Sequence, residues 1–323
     1  MRAPTGDQYE LTCDTPDGQA KAVITQLAAG IRSYSVGGID VTEPFDEAST
    51  PPSGCGIVLV PWPNRVKDAT WWLRDESGSV SEQKLAVTEP ARGNAIHGLL
   101  RYSPYLPVLR GRESITLGAT VYPQLGYPFL LDTTVRYSLS ADGLTVEHTI
   151  VNAGQSDAPV AIGAHPYLKI GGVETADLVL KLDAATHFEV DERMNVVDEH
   201  PVDGTEYDLR EGRRVADLRL DDGFGGVQHE SGRAEHSLTA PDGRSVTLWA
   251  DDSFGFVQAF THRSFATLPQ GQVAVAIEPM TAPANALNSG QGLRWLGAGE
   301  TMKARWGIAP LLGAHGVQGA ARA

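Results

Sequence analysis

The chain has 323 residues, with 26 Lys and Arg against 40 Asp and Glu, which leaves a formal charge of −14 at pH 7. That balance excludes a surface built to grip a phosphate backbone or an anionic membrane, since both need clustered Lys and Arg. Hydrophobic residues at 41% and charged residues at 20% supply apolar mass for a sizeable core and exclude a disordered chain, so the sequence reads as an ordinary soluble globular protein.

Cys13 and Cys55 are its only cysteines. Two thiols in a chain this long make neither a disulfide framework nor a cysteine metal site, which fits a reducing compartment. The opening MRAPTGDQYELTCDTPDG lacks an apolar signal core, and no apolar run approaches the length of a bilayer span, so a cytoplasmic location is expected. The 35 glycines and 20 prolines would interrupt helices repeatedly, whereas strands joined by turns tolerate them.

In chain order, the alternation around Asp17-Gly18 predicts a first hairpin, and GIVLV at 56–60 and SITLGATVY at 114–122 predict strands. The clearest pattern lies at 131–151. There Leu131, Thr133, Val135, Tyr137 and Leu139 alternate with polar neighbours, Asp142-Gly143 offers the positive-φ positions of a tight turn, and Leu144, Val146, His148 and Ile150 resume the alternation. Strands are also predicted at 158–165 and 177–184. The polar stretch from Asp191 to Gly226 has the composition of a linker, but strands of one type continue on both sides, so it is read as a long excursion inside one domain. A hairpin around Asp242-Gly243 and strands at 254–261, 272–279 and 300–308 complete the series. No window of about twelve residues repeats at a helical period, which argues against alternating strands and helices. The predicted architecture is all-β, a single large antiparallel β-sandwich forming one domain over residues 1–323.

Four polar clusters sit beside strand ends or turns, where side chains can converge on a pocket: 61–66, 94–101, 163–168 and 277–288. His97 lies in the apolar Ile96-His97-Gly98-Leu99, a setting where a histidine is more often a hydrogen-bonded core residue than a catalyst. His165 ends an apolar strand and precedes Pro166, which holds it extended at the strand end and favours a functional role. His187, His200, His229, His236 and His262 have polar neighbours and are expected to be solvated; no histidines have metal-ligand spacing, so no metal is expected. Glu278 is the single acid at the end of VAVAI. Carried to the edge of a core strand, its carboxyl would be partly desolvated and its pKa raised, as a general acid or base near neutral pH requires; a Glu emerging into solvent where the strand stops reads equally well. Arg65 is either a surface charge or a bidentate donor to neighbouring hydroxyls, and Asp221 and Asp222, in LDDGFGG, are on their own ordinary turn residues.

Together and in order, these pieces resemble the aldose 1-epimerase (galactose mutarotase) family. They are Asn64-Arg65 after a Pro-rich turn, His97-Gly98-Leu99 with Arg101, His165-Pro166-Tyr167 at a strand end, Glu278-Pro279-Met280-Thr281-Ala282-Pro283, and the turn Leu296-Gly297-Ala298-Gly299-Glu300. The resemblance covers roughly residues 55–308 and implies the β-supersandwich of that family, in accord with the strand reading. It implies interconversion of the α and β anomers of a free aldose by ring opening and closure, without a cofactor. By this resemblance Glu278 is the base, His165 the acid, working near the ordinary imidazole pKa of about 6.5, and His97 a hydrogen-bonding group near the ring oxygen. Arg65, Asp221, Asn64 and Tyr167 would hold the sugar, with Asp222 an alternative to Asp221. Trp62, Trp71 and Trp72 make this region richer in Trp than the typical galactose enzyme, and their rings would serve either as a stacking face or as core. The rival readings are a hexose-6-phosphate 1-epimerase drawing on Arg92 and Arg101, a glycoside hydrolase pairing Glu278 with Asp221 or Asp222, and a sugar-binding sandwich without catalysis. A small-molecule aldose is the expected partner, and the chain is expected to be a monomer or weak homodimer.

Overall fold

Alternating strands and frequent turns assemble into two large antiparallel sheets. The computed structural model describes residues 2–74 and 77–313. Among these, the larger sheet runs in spatial order Leu106–Arg110, Ser114–Val121, Leu131–Ser140, Gly143–Asn152, Thr301–Leu311, Ser245–Asp251, Arg233–Thr239, Val179–Lys181 and Arg213–Arg214. The second runs Val196–Pro201, Ala184–Val190, Asp221–Val227, Phe256–His262, Ala274–Met280, Gly163–Ala164 and Val58–Leu59, with Tyr167–Leu168 also paired to Ala274–Met280. Val135, Val146, Leu248 and Ile308 from the larger sheet meet Phe224, Val257, Val275 and Ile277 from the second in one buried cluster. The core therefore lies between the sheets, as in a sandwich, and each such side chain contributes about 1.5–3 kcal/mol by leaving water.

The alternation at 131–151 is realised residue by residue. Leu131, Thr133, Val135, Tyr137 and Leu139 are buried and stand across from Asn152, Ile150, His148, Val146 and Leu144. The turn chemistry differs from expectation at one position: Gly143 takes φ +129°, whereas Asp142 is not among the positive-φ residues. A Cβ at Gly143 would lie 2.2 Å from the Ile308 carbonyl oxygen, so glycine is required there by contact as well as by φ. The run 158–165 is two short strands, Ala158–Val160 paired to Arg294–Leu296 and Gly163–Ala164 in the second sheet. Residues 177–184 split likewise between a 3₁₀ turn at Thr175–Asp177 and the strands Val179–Lys181 and Ala184–Val190.

The polar stretch 191–226 is woven into both sheets. Arg213–Arg214 adds to the end of the larger one, while Val196–Pro201 and Asp221–Val227 belong to the second. Trp62 and Trp71 are core residues, 2% and 0% exposed, and Trp72 is exposed. Cys13 and Cys55 are buried free thiols.

The histidines depart from the expectation of solvation. His200 is half-exposed, but His187 and His236 are buried: strand alternation turns His236 inward, and Tyr207 stacks over the His187 ring at 3.5 Å. His236 Nδ1 accepts the Asp183 backbone N–H, and His148 Nε2 accepts the indole N–H of Trp306 at 2.9 Å. Burial brings His148 down to about 3 and His236 to about 4. Both stay neutral in the folded state, whereas the unfolded chain takes up protons below about pH 6.5. Their contribution is therefore complete above that pH and is lost as pH falls towards the folded values. His148→Gln keeps an acceptor for Trp306. We expect its urea-unfolding free energy to drop less than the wild type's between pH 7 and pH 4, by about 1–3 kcal/mol. Parallel pH dependences would mean that His148 is not held neutral.

Candidate active site

The strand Ala274–Met280 lies inside the second sheet, between Phe256–His262 on one side and Gly163–Ala164 and Tyr167–Leu168 on the other, and all seven of its residues are buried. Glu278 is thus taken wholly out of water at 3% exposure, beyond the partial desolvation that the sequence implied. Directly across the strand pair stands Gln258. His165 enters from the end of the Gly163–Ala164 strand, with Nε2 3.3 Å from Glu278 Oε1. Tyr167 stacks beneath it, ring centroids 5.2 Å apart, and Phe265 packs against Tyr167 at 4.6 Å. Tyr167, which the resemblance made a sugar-holding residue, is fully buried behind the His165 ring and is not among the residues that line the cleft.

The second part of the site hangs on two residues in left-handed backbone, Asn64 at φ +52° and His97 at φ +65°. The His97 backbone N–H donates to the Asn64 carbonyl at 2.9 Å, and next to this link Arg65–Val66 pairs with Ala95–Ile96. Gly98 completes the turn, since a Cβ there would lie 2.1 Å from the Val60 carbonyl oxygen. His97 is brought edge-on to His165, ring centroids 5.4 Å apart.

A hydrogen-bonded chain then ties the two parts together. Asn64 Nδ2 donates to Gln258 Oε1 at 3.0 Å, and Gln258 Nε2 donates to Asp221 Oδ1 at 3.0 Å. Arg65 is clamped by Glu89 through Nε at 2.9 Å and Nη2 at 3.1 Å, and both Arg65 and Arg92 come within 3.7 Å of Asp221 Oδ2. Asp222 points away, bonded to His187 Nε2 at 2.8 Å and accepting the Asp221 N–H. Strand alternation thus separates the two aspartates, with Asp221 facing the site.

These groups line a cleft of about 270 Å³, together with Ser53, Ile96, Phe260 and His262. Glu278, His165, His97, Arg65, Asn64 and Asp221, all named from sequence, meet there. Gln258, Glu89 and His262 were missed. Gln258 carries a readable signal, a lone amide in the apolar run FVQAF; Glu89 carries none, because its partner is 24 residues away. A roomier hollow of about 820 Å³ elsewhere is lined by Leu73, Phe129 and Trp295, with Arg74 and Asp157 as its charged groups, and holds no acid–base pair. Among the described residues no group of three or more His, Cys, Asp or Glu is arranged to hold a metal ion.

Burial pushes Glu278 well above the ordinary carboxyl range; Asp221 adds to the rise and Arg65 opposes it. Burial also takes His165 down to about 4, so the near-ordinary imidazole expected from sequence is not what the fold makes. His97 is likewise held well below its usual value, chiefly by desolvation and then by His165, Arg101 and Arg65. Burial thus disfavours the charged form of each partner, and their contact gives a proton a short path between carboxyl and imidazole. Glu278 Oε2, His165 Nδ1 and His97 Nδ1 are buried without a hydrogen-bond partner among the described residues. Such atoms are open to a bonding partner.

A family model described as aldose 1-epimerase matches residues 10–309. The chain belongs to the aldose 1-epimerase family. Its likeness to the uncharacterised protein YihR of Escherichia coli K12 is 31% identity over 285 residues, 88% of each chain. Two solved structures share the fold: a GalM/aldose epimerase homologue from C. elegans, with TM-score 0.78, 17% identity and coverage of 95% of this chain and 100% of that one, and a galactose 1-epimerase from Lactobacillus acidophilus NCFM, with TM-score 0.74, 17% identity and coverage of 96% and 97%. Membership of the aldose 1-epimerase family implies an isomerase, an epimerase of sugars.

The raised Glu278 value has a stability consequence of opposite sign to that of the buried histidines. The unfolded carboxyl ionises above about pH 4.5 while the folded one resists, so folding is favoured fully below that pH and loses stability as pH rises. We expect Glu278→Gln to be more stable than wild type at pH 7, with the difference shrinking below about pH 4.5. Chemical denaturation at the two pH values measures this, and a variant less stable at pH 7 would mean that the carboxylate is fully compensated.

Proposed function

We propose that the chain is a cofactor-independent aldose 1-epimerase acting on a free hexose, with Glu278 as base and His165 as acid. The observation that carries this reading is the buried Glu278–His165 contact, with unpartnered polar atoms, in a cleft also lined by Arg65 and Asp221. The cleft volume is just below the usual range of about 300–1,000 Å³ for small-molecule sites, which suits a single sugar ring. In the reaction, with the pair's proton on His165, Glu278 takes the anomeric O–H proton as C1–O5 cleaves, and O5 receives the proton from His165, leaving an open aldehyde. Rotation about C1–C2 turns the other face of the carbonyl to the O5 hydroxyl. Closure then returns the O5 proton to His165 and the Glu278 proton to O1, so a turnover consumes no proton. Sugar hydroxyls bonded to the orphaned atoms favour the charged form of the pair over its neutral form at that moment. His97 assists at the ring oxygen, and Arg65 and Asp221 fix the remaining hydroxyls, held in turn by Glu89, Asn64 and Gln258.

Arg92 at the cleft favours one variant of this reading, a hexose 6-phosphate as substrate. Its guanidinium is already 3.3 Å from Glu89 and 3.7 Å from Asp221, so its charge is largely answered, and the neutral sugar is preferred. We further read the chain as one domain, monomeric or weakly dimeric, and cytoplasmic, in keeping with its buried free thiols.

The test is anomeric proton NMR or polarimetry on freshly dissolved α-D-glucose, α-D-galactose and glucose 6-phosphate. Acceleration over the spontaneous rate is expected with a free hexose, reduced about 10²–10⁴-fold in Glu278→Gln and in His165→Asn. An unaltered rate in Glu278→Gln would sink the assignment. With His165 at about 4 and Glu278 raised, kcat/KM should fall on the acid side towards about pH 4 as the pair takes a second proton, and on the alkaline side as it loses the last. A single acid limb centred near 6.5 would instead indicate an ordinary, solvated imidazole.

A further inference from the structure

Ser53 and His262 line the same cleft, and neither has a part in the chemistry above. Ser53 sits in left-handed backbone, φ 49° and ψ 36°, an uncommon conformation for serine. Its Oγ lies 2.7 Å from His262 Nε2. The other ring nitrogen, Nδ1, accepts the Ser264 backbone N–H at 3.3 Å and so bears no proton. Packing against Phe260 and Phe265, with ring centroids 4.8 and 5.6 Å away, keeps the ring partly out of water, and desolvation lowers its basicity. The neutral ring therefore carries its proton on Nε2 and donates it to Ser53 Oγ. The hydroxyl proton of Ser53 is left to donate, and the residue has no other hydrogen-bond partner among the described residues. Ser53 belongs to the His165 side of the cleft, since a Cβ on the adjacent Gly54 would touch His165 Cδ2 at 3.5 Å.

We propose that Ser53, oriented by His262, donates a hydrogen bond to the exocyclic C6 oxygen of a hexose and so determines which aldoses the site prefers. This rests on the acid–base reading above. With His165 at the ring oxygen, the flanking carbons are C1 and C5. Glu278 takes the oxygen on C1, which leaves the oxygen carried by C6 as the acceptor within reach of the His165 side.

The test compares D-glucose and D-galactose with their 6-deoxy analogues in wild type, Ser53→Ala and His262→Phe. The ratio of kcat/KM between each hexose and its 6-deoxy analogue is expected to fall about 3- to 10-fold in Ser53→Ala, the loss of one hydrogen bond. A smaller fall is expected in His262→Phe, where the serine remains but is no longer aimed. A purely structural role would lower both sugars alike, and an unchanged ratio in Ser53→Ala overturns the assignment. If wild type accelerates no aldose, the epimerase reading fails; the same ratio is then taken from equilibrium affinities by calorimetry, where a fall supports the Ser53 contact and an equal loss overturns it. No binding of any of the four sugars overturns both.

Discussion

The site depends on one costly arrangement, a carboxyl and an imidazole brought into contact inside a sheet where neither is solvated. Ionising either group alone would cost several kcal/mol, so the two can change protonation only by exchanging a proton with each other or with a bound molecule. The surrounding geometry follows from holding them still. Ala274–Met280 is buried along its whole length, the antiparallel register sets Gln258 opposite Glu278, and Tyr167 backs the His165 ring. Each neighbour makes the pair harder to solvate and harder to displace.

Around this pair three of the chain's left-handed, non-glycine residues converge. Ser53, Asn64 and His97 all hold left-handed backbone, at roughly 1–2 kcal/mol each for residues bearing a Cβ, and all three line the same cleft. Asn64 compensates in part. Its side-chain oxygen accepts the Arg65 N–H, its amide bonds Gln258, and its carbonyl takes the His97 N–H. One residue thus couples the face of the cleft near Glu278 and His165 to the face that carries the guanidinium and carboxylate, so their separation is set by short hydrogen bonds and not by the long loops between them.

Much of this was legible in the amino-acid order, for identifiable reasons. Period-two alternation is local, so the hairpin at 131–151 could be read down to its inward residues, and a strand-end acid before proline announced Glu278. Order along the chain also sufficed to relate the Asn64, His97, His165 and Glu278 clusters to one family. Burial was less legible, because it depends on which sheet covers a strand. His187 and His236 have polar neighbours yet are buried, and His165 was expected to titrate near neutrality although the fold dries it. Choosing between Asp221 and Asp222 required the strand's facing. The Glu89 clamp on Arg65 spans an intervening hairpin and left no trace in local pattern.

The placement of Thr301–Leu311 bears on how the protein is made. This strand is inserted between Gly143–Asn152 and Ser245–Asp251, in the interior of the larger sheet, although it follows every other described strand in the chain. While the ribosome is still delivering it, the two halves of that sheet have no bridge, and each presents an open edge. Maturation must therefore finish after translation has passed residue 311, through long-range pairing that is slow by nature and exposes strands to mispairing meanwhile. For a cell producing this protein, the hazardous interval is the wait for a central staple, and holding factors that shield β edges would act then.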